Sequence, residues 1–260
     1  MPVARAVKQP SGGFFWSLGL ALSLLAGCAA NRPANDSEEL ATSRWAAAST
    51  APGGDVDWKH QEFPGKRASQ YRYARVDGRD AMAAHAVSSA SMLRQVVRVE
   101  PADLGQVHFS WKVPALIESA DLTVRDQADS PVRVVLAFEG DRSQFSAKDA
   151  MLSELAHALT GEPMPYATLM YVWCNNREPG SVLVNPRTSR IRKIVMESGP
   201  DQLRKWLDYE RDIRADFVKA FGEPPGALVS IGIMTDTDNT RSTAQAWYGP
   251  VRLVRAKAGP

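Results

Sequence analysis

The run Thr235-Asp236-Thr237-Asp238-Asn239-Thr240 puts two carboxylates and an amide within six residues, directly after an apolar segment that ends at Met234. Oxygen clusters at a strand end coordinate hard cations such as Ca2+, cap the backbone amides of a sharp turn, or hydrogen-bond a ligand. A helix–loop–helix calcium site is excluded, because Arg241 stands at its required glycine and Trp247 at its bidentate glutamate. Asp236 and Asp238 remain metal candidates, with turn capping and ligand contact as the competing uses.

Two further segments combine flat rings with amides. Tyr171-Val172-Trp173 is followed at once by Asn175 and Asn176, and Ala246-Trp247-Tyr248-Gly249 closes the same region as the acidic run. A pyranose offers C–H groups to stack on an indole and hydroxyls for amides and carboxylates, so this chemistry suits a saccharide. The ligand-binding set expected on these grounds is Trp173, Asn175, Asn176, Asp236, Asp238, Asn239, Trp247 and Tyr248, while Trp111 and Trp206 read as core.

Catalytic signatures are absent. There is no Gly-x-Ser-x-Gly elbow, no His-Glu-x-x-His, no phosphate-cradling glycine loop and no dinucleotide fingerprint. His60, His85, His108 and His157 lack ligand-type spacing. Glu139, Glu197, Glu210 and Asp236 are available to a glycan hydrolase or lyase, which needs two carboxyls about 5 to 9 Å apart. No catalytic residue is assigned on sequence.

The elements around these residues begin with a segment that is processed rather than folded. Arg5 and Lys8 precede an apolar stretch from Phe14 to Leu25, which is short for a membrane span, and Leu25-Ala26-Gly27-Cys28 follows. This reads as a bacterial lipoprotein signal over residues 1–27, with lipid on Cys28 and a membrane as partner. Ala29 after the cysteine resembles the sorting pattern for the outer membrane, facing the periplasm. The chain carries 31 Lys plus Arg against 29 Asp plus Glu. Losing Arg5 and Lys8 makes the mature balance 29 against 29, which speaks against nucleic acid and for a neutral or mixed-charge ligand. Cys174 is then the remaining thiol, read as a small buried hydrophobe.

Residues 28–54 are rich in Ala, Ser, Asn, Pro and Gly and read as a flexible tether. Residues 55–260 read as one all-β domain, a two-sheet jelly-roll-like sandwich with one or two short helices. Val107, Phe109, Trp111 and Val113 alternate with His108, Ser110 and Lys112, giving one wet and one buried face. Similar runs are expected over 70–76, 81–87, 93–99, 132–138, 168–173, 191–196, 227–234 and 244–254. Ser146 with Asp149 resembles a capping box for a helix that ends at Gly161, its apolar stripe of Met151, Leu152, Leu155 and Leu159 turned toward a sheet edge. Residues 201–221 are expected to run as strand and then helix, closed by Gly222 and Pro224.

Several stretches together carry a family resemblance. They are Ser89–Leu93, His108–Val113, Leu169–Trp173, Asn185-Pro186, Glu197–Pro200, Ala215–Glu223, and Ile231–Thr240 with Ala246–Gly249. They resemble the bacterial domain-of-unknown-function family 3047. The resemblance implies an exported protein whose sandwich is similar to carbohydrate-binding-module and galactose-binding-like domains, and it supplies no activity or catalytic residues. Arg241 and Pro250 depart from the family pattern, where glycine and an acidic residue are usual. The expectation is a membrane-anchored, non-catalytic binder of envelope glycan, with an envelope protein partner or a carboxylate-pair hydrolase as alternatives.

Overall fold

The computed structural model describes Leu40, residues 43–51 and residues 57–256, so Cys28, the signal segment and most of the tether lie outside the described residues. Two sheets face each other. The first has seven strands: β1 (Lys59–Glu62), β4 (Ala90–Val99), β11 (Leu228–Asp236), β6 (Ser130–Phe138), β7 (Ala167–Cys174), β9 (Ile191–Ser198) and β8 (Val182–Val184), in that spatial order. The second orders β10 (Trp206–Asp212), β5 (Gln106–Lys112), β12 (Thr243–Tyr248), β3 (Arg79–Val87) and β2 (Gln70–Val76), with β13 (Arg252–Val254) also pairing β5. Every pairing is antiparallel except β7 with β9. The expected β-sandwich is the fold observed.

Period-two alternation decides which side chains meet between the sheets. Val107, Phe109 and Trp111 of β5 face Tyr171, Trp173, Val134, Leu136, Ile231 and Ile233 of the first sheet, all in one buried cluster. Phe109 stacks on Tyr171 at 5.3 Å between ring centres. Each such side chain contributes about 1.5–3 kcal/mol relative to exposure. His108 points outward, as the alternation requires.

The two longer helices form where expected. In α2 (Ala147–Thr160) the Ser146 hydroxyl accepts from the Asp149 amide at 3.1 Å, and Gly161 ends the helix at φ +78°. Strand β10 leads into α3 (Ile213–Phe221), capped by Asp212 and ended by Gly222. The orientation of α2 corrects the stripe expectation. Its buried residues are Asp149 and Ser153, whereas Met151, Leu155 and Leu159 are 63%, 53% and 59% exposed. Asp149 is held by the hydroxyls of Ser146, Thr188 and Ser189, so polar contacts at its base fix which side turns inward.

A second correction concerns the tether. Residues 43–51 are packed: α1 (Arg44–Ala48) buries Trp45 completely, against Trp58 at 4.8 Å between ring centres, and Leu40 is buried too. The Ser49 hydroxyl accepts from the Val251 amide at 3.1 Å, and the Thr50 carbonyl accepts from the Leu253 amide at 2.8 Å. This joins the start of the described chain to its last strand.

Candidate functional site

The acidic run does reach a cleft. On β11, Ile231, Ile233 and Thr235 face the core, which leaves Met234 and Asp236 on the outer face of the seven-stranded sheet. Met234 pairs with Arg133 of β6, and Val135 pairs with Met170 of β7. Over this patch stand Phe63, Pro64 and Lys66 from the β1–β2 connection, Asn185 and Arg187 from the β8–β9 connection, and Asp238 with Asn239 from the β11–β12 turn. They enclose a cleft of about 360 Å³ with Met170, Met234 and Ile191 on its floor.

Arg133 and Asp236 form the polar centre of that floor. Nε and Nη2 of Arg133 donate to the two carboxylate oxygens of Asp236 at 2.8 and 2.9 Å, and the side chains are 4% and 6% exposed. The Ser130 amide adds a donor to Asp236 at 3.1 Å, and Arg133 Nη2 also donates to the Ala128 carbonyl at 2.6 Å. Burial pushes the Asp236 carboxyl up from its ordinary range, with the Arg133 guanidinium pulling against it. Among the described residues, Arg133 Nη1 meets only the thioether sulfur of Met170, at 3.9 Å.

Asp129, Asp236 and Asp238 place carboxylate oxygens within 4.8 Å of one another. The set does not fit calcium, because every member is already engaged by protein donors. Asp129 accepts from the Thr240 amide and hydroxyl at 2.7 and 2.6 Å and from the Asn239 side-chain amide at 2.7 Å. Asp238 is paired with Lys66, and Asp236 with Arg133. A hard cation wants six to eight free oxygens, and here two cationic side chains stand in its place. The turn-capping expectation is corrected as well: the Asn239 and Thr240 amides of this run donate to Asp129 of another loop, whereas Asp236 and Asp238 pair with Arg133 and Lys66.

The remaining expected residues scatter. Trp173 is 1% exposed in the core, with its indole donating to the Gly199 carbonyl at 3.0 Å. Tyr248 is fully buried; its hydroxyl donates to the Met234 carbonyl at 2.6 Å and accepts from the Arg133 amide at 3.2 Å, tying the sheets together. Burial raises its pKa. Asn175 donates to the carbonyls of Ile117 and Ala120, and the exposed Asn176 lies beside the Cys174 thiol. Trp247 sits on the outer face of the other sheet, with Lys112 Nζ 5.9 Å from its ring centre, and Trp206 shares that register row through Lys112. Asp236, Asp238 and Asn239 are therefore the three members of the expected set that line one cleft. The four carboxylates considered for hydrolysis are engaged separately: Glu139 with Arg98, Glu197 with Tyr209, Glu210 near His108 and Asp236 with Arg133.

Sequence reasoning missed Arg133 and Lys193. Both are cations embedded in apolar strand runs, which is the signal that was available. Lys193 of β9 is fully buried, and its ammonium nitrogen donates to the Leu122 carbonyl at 3.1 Å. Its register partners are Met170 and Leu183, and Leu122, Val172, Cys174, Leu183 and Val195 form the apolar cluster of that region. Burial, with Arg133 nearby adding to it, pushes its pKa down to about 7.

Among curated proteins, none matches this chain in sequence. One similar solved structure is the xyloglucanase domain of NopAA, a type three effector from Sinorhizobium fredii, in complex with cellobiose. It shares 9% identity with a TM-score of 0.38, over 80% of this chain and 96% of that one. Over residues 56–252 the sequence matches the family described as "Protein of unknown function (DUF3047)", and the chain belongs to that family.

Proposed function

We propose that this domain is a non-catalytic saccharide-binding sandwich of the bacterial cell envelope, held to the membrane through lipid on Cys28, with outer-membrane placement facing the periplasm. The observation that carries the reading is the cleft on the outer face of the seven-stranded sheet. An apolar floor of Met170, Met234 and Ile191 lies beneath a rim of hydrogen-bonding side chains, Lys66, Arg187, Asp238 and Asn239. Apolar contact area with a few placed polar groups is what a sugar ring requires. The near-neutral charge balance supports this class over nucleic acid.

The test is retention of the mature chain, with Cys28→Ser for solubility, on immobilised envelope polysaccharides. Phe63→Ala and Met234→Ala should lower retention severalfold, while Trp247→Ala on the opposite sheet should not. Retention that ignores the first two changes and falls with the third would move the site. A second reading, docking to an envelope protein, is favoured by one observation: the exposed Met151, Leu155 and Leu159 stripe of α2. Crosslinking that depends on Leu155 would support it.

A further inference from the structure

Hydrogen-bonding capacity within the cleft is lopsided. Asp236 is committed on both oxygens to Arg133 and the Ser130 amide, and Asp238 gives one oxygen, Oδ2, to Lys66. Asp129 behind them is held by the turn. Donors remain over. Arg133 is 3% exposed, and among the described residues its Nη1 reaches only the Met170 sulfur. A part-buried guanidinium nitrogen with no oxygen acceptor among the described residues is costly, and a ligand oxygen placed there removes that cost. Arg187, on the rim, donates Nη2 to the Asn239 side chain at 3.0 Å and has no carboxylate partner among the described residues. Lys66 has two further N–H groups beyond the one it gives to Asp238.

We infer that the cleft selects an acidic saccharide, its carboxylate accepting from Arg133 Nη1 and Arg187 while the sugar ring lies on Met170 and Met234. This rests on the saccharide reading above and narrows it to uronic or muramic-type sugars. The geometry favours carboxylate over hydroxyl because the open positions are donors from two cations. Charge-assisted bonds to a carboxylate are shorter and about twice as strong as neutral ones.

The experiment is calorimetric titration of the mature Cys28→Ser protein with matched pairs: trigalacturonate against galactotriose, and N-acetylmuramate oligomers against N-acetylglucosamine oligomers. The carboxylated member should bind roughly tenfold more tightly in at least one pair, and the gap should shrink as salt is raised. Arg187→Gln, an exposed change, should reduce the preference severalfold and leave the neutral member unaffected. Arg133→Lys should also reduce it, since a lysine keeps the charge beside Asp236 but loses the second nitrogen. If that variant fails to fold, Arg187→Gln and the salt dependence still decide. Equal affinity for both members of every pair would overturn the acidic preference and leave the saccharide reading intact. Binding of none would overturn both, and an acid preference indifferent to Arg187→Gln would overturn this site.

Discussion

Lys193 gives the fold a pH dependence that can be worked out in advance. In the unfolded chain a lysine keeps its proton to about pH 10.4, whereas burial lowers the folded value to about 7. Below about pH 7 both states hold the proton, and the folded protein bears the full cost of a buried ammonium. Between about 7 and about 10 the unfolded state binds more protons than the folded one, so stability rises with pH. A full proton difference is worth about 1.4 kcal/mol per pH unit. The folded amine is still half protonated at pH 7, so the gain from pH 7 to pH 9 is about 2 kcal/mol, or roughly 4–8 °C in melting midpoint. Lys193→Met keeps the stem in its apolar surroundings and removes the titration. Groups common to both proteins cancel when melts of wild type and variant are subtracted at pH 7, 8 and 9. The difference should move in favour of the wild type by about 2 kcal/mol over that span; a flat difference, or one that falls with pH, refutes the reasoning.

Asp236→Asn should cost about 3–5 kcal/mol in urea denaturation, because it strands a buried guanidinium, while Arg133→Met with Asp236→Leu should recover most of the loss; a single-variant cost below about 1 kcal/mol would mean the pair is not desolvated. Trp45→Ala should cost about 3–5 kcal/mol, and an unchanged midpoint would restore residues 43–51 to the tether. Millimolar calcium against chelator should shift the melting midpoint by less than about 1 °C, whereas saturation at 100 times a dissociation constant would add about 2.7 kcal/mol.

The strands were legible where one face is wet. Alternation around Phe109 and Trp111 located β5 because the outer residues His108 and Lys112 remain polar. It also carried a warning that the site reading overlooked: Trp247 and Tyr248 are adjacent in a strand and so point to opposite faces. Strand β6 is buried from Ser130 to Phe138 on both sides, so its sequence is a plain apolar run in which Arg133 looks like an interruption. Its role depends on Asp236, 103 residues away, and pattern alone cannot pair them. Helix α2 misled for a related reason. A hydrophobic stripe normally faces inward, but Thr188 and Ser189, about 40 residues on, hold Asp149 instead. Part of the expected tether joins the core because burial of Trp45 acts together with that of Leu40 and Ala46 and with the bonds from Ser49 and Thr50, which share in offsetting the ordering cost.

The bonds from Ser49 and Thr50 to Val251 and Leu253 impose an order on assembly. Their partners are about 200 residues apart, so closing that contact carries nearly the largest loop entropy the domain can incur. During synthesis Ser49 and Thr50 emerge early, yet their partners Val251 and Leu253 emerge last, so these two bonds close only when the chain is nearly complete. A C-terminal truncation of about ten residues removes both partners and therefore damages the domain at its beginning.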